Sequence, residues 1–69
     1  MKVYTVQMDN TLILATHKVS DAVKEFINCC EQTGTPQENI KTEREIKREL
    51  RNNRNVYGEH VILHSWINN

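Results

Sequence analysis

Residues 2–8 (KVYTVQM) and 11–16 (TLILAT) are two β-prone runs separated by only Asp9 and Asn10. So short a link leaves the chain one economical solution, an antiparallel hairpin. Its turn needs positive φ at the centre, which Asp and Asn tolerate better than other non-glycine residues. An uninterrupted register from that turn sets Val6 opposite Ile13 and Tyr4 opposite Ala15. Tyr4, Val6, Met8, Ile13 and Ala15 then share one face, and Val3, Leu12 and Leu14 the other. Both faces carry apolar side chains, so both call for cover, a helix on one and another helix or a second subunit on the other.

The following segments supply helices. Ser20 is a good N-cap, Asp21 suits the positive end of a helix dipole, and Ala22, Val23, Phe26, Ile27 and Cys30 recur at helical spacing until Gly34 stops the run. Thr35-Pro36-Gln37-Glu38 and Thr42-Glu43-Arg44-Glu45 both match the capping-box pattern. Thr42 is the better start for the second helix, because Ile46 and Leu50 form a seam at i, i+4 that does not extend back to Ile40; a short turn at residues 36–40 precedes it. Asn52, Asn53 and Asn55 end that helix, and residues 60–67 (HVILHSWI) read as a closing strand. The expected fold is therefore α+β in ββααβ order, a three-stranded antiparallel or mixed sheet with two helices, forming a single compact domain over residues 1–69.

The chain has 69 residues with 38% hydrophobic and 26% charged side chains, the composition of a small globular domain. Domains of this size bury only about 60% of the surface their unfolded chains expose, which makes a partner subunit a useful source of stability. Cys29 and Cys30 are the only cysteines, and a bridge between sequence neighbours closes no useful loop. No apolar run approaches the roughly 18 residues of a membrane span, so a reducing, cytoplasmic setting without membrane contact is expected. Nine basic residues balance nine acidic ones, and no global field draws the protein to nucleic acid.

Charge is nonetheless concentrated locally. On a helical wheel Lys41, Arg44, Lys47, Arg48, Arg51 and Arg54 fall within one arc, opposite Ile46 and Leu50. This ridge suits phosphates or an acidic protein surface. Glu43, Glu45 and Glu49 flank it, and pairs such as Glu43 with Lys47 would turn it into an ordinary solvated face. Nearby aromatic residues for stacking bases are limited to Tyr57 and Trp66.

Catalytic and metal chemistry find little support. His60 and His64 share a strand face with Ile62 and Trp66, but no zinc-type ligand spacing accompanies them, and Cys30 fits the buried helix stripe. Gly34 and Gly58 are isolated, so no phosphate-cradling loop exists, and no paired carboxylates mark a pocket. The expectation is a non-enzyme without cofactor or metal. Trp66 is explained by core packing or, more sharply, as an interface anchor.

Small free-standing domains of this kind are common among phage and mobile-element accessory proteins. That analogy of size and type suggests a protein-binding module that modulates or inhibits a host protein by occluding its surface. The expected contacts are Arg44, Lys47, Arg48, Arg51 and Trp66, with homodimerisation through a sheet face as a companion possibility. The alternative is a small nucleic-acid-binding or transcription-regulating protein using the basic second helix.

Overall fold

The structure, a computed structural model, describes residues 2–67. The elements run β1 (Lys2–Met8), β2 (Thr11–Thr16), α1 (Val19–Gln32), a 3-10 turn (Gln37–Asn39), α2 (Glu43–Asn53), β3 (Asn55–Tyr57) and β4 (Val61–Ile67). The class is α+β, as the residue patterns imply, but the sheet has four strands where three were expected. Its order is β2-β1-β4-β3, and every pair is antiparallel, so the mixed alternative does not occur. The additional strand is Asn55-Val56-Tyr57. Too short to show an alternation in sequence, it forms because Val56 is wholly buried opposite Leu63.

Asp9 and Asn10 make the expected two-residue turn, with φ of 49° and 68°, and the Asp9 N–H donates to the His60 carbonyl at 3.0 Å. Beyond the turn the register departs from the uninterrupted one. Gln7 faces Leu12 but Val6 faces Leu14 and Tyr4 faces Thr16, leaving Ile13 as the extra residue of a β-bulge. Leu14 therefore packs with Tyr4, Val6 and Met8 toward the helices, while Ile13 and Ala15 are exposed. The cause lies in three consecutive apolar residues, Leu12-Ile13-Leu14, which satisfy either register locally; packing against the helices selects Leu14.

Both helices lie on one face of the sheet. α1 crosses β2, β1 and β4, while α2 covers β3 and β4 and touches α1. Val6, Val23, Phe26, Ile46, Val56, Val61 and Leu63 are essentially sealed from solvent between the two layers, with Ala22, Cys29 and Cys30 filling the α1 side. Gly34 ends α1 in the left-handed region at φ 83°, where its N–H reaches the Glu31 carbonyl and the next N–H, of Thr35, reaches that of Cys30. These two bonds form a Schellman motif that satisfies carbonyls the helix end would otherwise orphan. α2 starts as expected at Thr42, whose hydroxyl accepts from the Glu45 N–H at 3.2 Å while the Glu45 carboxylate accepts from the Thr42 hydroxyl and N–H.

α1 starts differently from expectation. Its N-cap is Lys18, which offers no side-chain bond, because partly buried Val19 joins the helix and draws Ser20 into the first turn. A side-chain cap is worth about 1 kcal/mol when removed. Thr42→Ala should therefore lower the unfolding free energy by about 1 kcal/mol, whereas Ser20→Ala should change it by less than about 0.5 kcal/mol. Urea unfolding followed by circular dichroism measures both, and equal losses would contradict these two helix starts.

Candidate functional site

Among the described residues, no helix covers the second face of the sheet. Val3, Thr5 and Gln7 of β1, Ile62, His64 and Trp66 of β4, and Asn55 and Tyr57 of β3 alternate onto it by the strand period of two, and the bulge in β2 brings Leu12 and Ala15 onto it as well. None of these residues is Asp, Glu, Lys or Arg. Leu12, Tyr57, Ile62 and Trp66 are exposed there, with the bulge residue Ile13 at the rim.

Trp66 is exposed yet held. Its indole Nε1 donates to Thr5 Oγ1 at 2.9 Å, a bond that joins residues 61 positions apart because β1 and β4 are neighbours. The indole also meets the His64 ring edge-on at a centroid distance of 4.1 Å, and His64 Nδ1 is hydrogen-bonded to Asn55 Oδ1. Thr5, Trp66, His64 and Asn55 thus form a chain of contacts across three strands that fixes the tryptophan in one orientation. The spacing of His64 and Trp66 was visible in sequence, but Thr5 and Asn55 join them only through strand order.

The basic ridge divides. Lys41 precedes the N-cap of α2 and turns away, pairing with Glu49 at 3.0 Å and donating to the Tyr57 carbonyl at 3.4 Å. Arg44 and Arg48 point outward from α2 and are exposed. Lys47 and Arg51 stand beside Leu50 and line a cleft of about 340 Å³ together with Lys2, Tyr4, Val19, Arg54 and Ser65. Among the described residues, none of Lys2, Arg44, Lys47, Arg48, Arg51 and Arg54 has a carboxylate within 4.0 Å, so the Glu43–Lys47 pair that would have made an ordinary solvated face does not form. Trp66 lies on the far side of the sheet from this ridge, and the five expected contact residues do not make one patch.

The histidines also separate. His60 sits in the turn before β4, 3.4 Å from Asp9, while His64 is engaged by Asn55. Among the described residues no three His, Cys, Asp or Glu side chains come together as a metal site, and no helix is long and apolar enough to cross a membrane. Cys29 and Cys30 are free thiols buried in the core. Burial first, then the nearby Glu25 carboxylate 3.6 Å away, pushes the Cys29 thiol up to about 11. Burial raises the Cys30 thiol as well. Such thiols are poor nucleophiles at neutral pH.

Neither models of known protein families, nor curated proteins, nor solved structures give a match to this chain.

Because the Cys29 thiol is held above its ordinary value, its protonated form stabilises the fold at neutral pH, and that contribution falls as pH rises from about 9 to about 11. Unfolding free energy should decline over this interval. At pH 8 a thiol-directed disulfide reagent should react slowly with the native protein and rapidly in urea; fast native labelling would contradict the buried placement of both cysteines.

Proposed function

We propose that this protein is a non-enzymatic protein-binding module that docks through its open sheet face, with Trp66 as the anchor. The observation that carries the reading is the fixed, half-exposed indole, 52% accessible, tied to Thr5 and His64 on a face without formal charge. An aromatic side chain that is already oriented gives up little conformational freedom on binding, and tryptophan is the residue most often found at the energetic centre of protein interfaces. Leu12, Tyr57 and Ile62 around it supply the apolar area of such a centre.

Charge placement favours protein over nucleic acid as the partner. Binding a single strand calls for stacking aromatics beside phosphate-neutralising cations. Here Tyr57 and Trp66 are on one side of the sheet and the basic residues of α2 on the other. A module of this size acts on its partner by covering or remodelling the surface it binds, the mode suggested by the analogy with phage and mobile-element accessory proteins. A second copy is also an acceptable occupant, since an uncharged face meets itself without like-charge repulsion.

Affinity capture from the native host, with cross-linking and mass spectrometry, tests the reading against two variants. Trp66→Ala should weaken a captured interaction by about 30-fold or more, the loss of a hot spot worth about 2 kcal/mol. Joint replacement of Arg44, Arg48 and Arg51 by Glu should leave it largely intact. The reverse pattern would move the contact to the helix, and a low-salt gel shift that depends on the same arginines would replace the protein partner with nucleic acid.

A further inference from the structure

We infer that the cleft between α2, the start of α1 and the end of the sheet is a binding site for a small ligand carrying two linked phosphate groups. Four cationic side chains from separate parts of the chain converge there: Lys2 from β1, Lys47 and Arg51 from α2, and Arg54 from the cap of that helix. The protein holds as many acidic as basic residues, yet among the described residues no Asp or Glu lines this cleft. Concentrating like charges around one space is unfavourable unless an anion enters it.

Arg54 provides an independent observation. It occupies the left-handed region at φ 63°, a C-cap conformation that glycine or asparagine adopts more cheaply than arginine. Its backbone is fixed on both sides, its N–H donating to the Leu50 carbonyl at 2.9 Å and its carbonyl accepting from the Ser65 N–H at 2.8 Å. The strained position therefore delivers a guanidinium to the cleft wall, where a glycine would deliver nothing.

Size and charge narrow the ligand. About 340 Å³ lies at the small end of metabolite sites, which run from about 300 to 1,000 Å³. A lone phosphate monoester carries about −1.5 to −2 charges and leaves part of the cationic wall unmatched; two linked phosphates come closer to matching it. The Tyr4 and Ser65 hydroxyls add neutral hydrogen-bonding groups, while Val19 and Leu50 offer an apolar edge for whatever the phosphates are attached to.

Isothermal titration with inorganic pyrophosphate in low-salt buffer tests this on the full chain. The expected result is saturable one-to-one binding, weakened as salt rises, with orthophosphate at least about tenfold weaker. Arg54→Gly should keep or raise the thermal midpoint, because glycine relieves the cap, while weakening pyrophosphate about tenfold or more; Arg51→Gln should weaken it comparably. Trp66→Ala should leave it unchanged, which separates this site from the sheet-face reading. Absence of pyrophosphate binding in the unaltered protein, or binding untouched by Arg54→Gly and Arg51→Gln, would overturn the proposal. So would equal affinity for orthophosphate, or an oligonucleotide that displaces pyrophosphate at far lower concentration.

Discussion

The pairing of β1 with β4 is the constraint on which the rest of the structure depends. Seven residue pairs, from Lys2 with Ile67 to Met8 with Val61, join the first and last of these strands at the centre of the sheet. Each outer strand attaches to this pair through a tight hairpin, β2 through Asp9-Asn10 and β3 through residues 58–60. Val6 and Leu63 face each other across it, both wholly buried, and α1 packs on β1 and β4 at that point. Local hairpins alone would leave two marginal ribbons; joining them creates a surface wide enough for both helices.

The same pairing sorts the side chains into two surfaces of different chemistry. With the helices confined to one face, the alternation of each strand sends its uncharged residues to the other, where Thr5 and Trp66 come within hydrogen-bonding distance. At one end of the helical layer Lys2 and Ser65 line the same cleft as α2, so that β1, β4 and the helix cap jointly wall the cationic cleft. The uncharged face proposed for docking and the cationic cleft thus lie on opposite sides of one sheet.

Features that depend on neighbouring residues were legible in the sequence. The Asp9-Asn10 turn needs only positive φ at two positions, and the Thr42 capping box closes within four residues. Features decided by packing were not. Leu12-Ile13-Leu14 fits either register, and the bulge follows from the helices accepting Leu14 in place of Ile13; β3 is too short to announce itself and exists because Val56 completes the core beside Leu63. The candidate sites follow the same division. Lys47, Arg51 and Arg54 belong to a basic arc readable on a wheel, but Lys2 joins them only in three dimensions, and the left-handed backbone of Arg54 shows only there. The wheel also overreached, since it placed Lys41 in an arc that the chain leaves before the helix begins.

Native-state hydrogen exchange resolved by residue is the most direct test of the central claim, that β1 and β4 pair and hold the sheet together. The inward-bonded amides of β1 and β4 should be the slowest in the molecule and should exchange together, with a common free energy equal to that of global unfolding. Amides on the outer edge of β2 should exchange faster. If instead β4 exchanged at the rate of a loop while the β1–β2 hairpin stayed protected, the strand order would be wrong, and with it the placement of Trp66 beside Thr5 and of Lys2 beside Arg54.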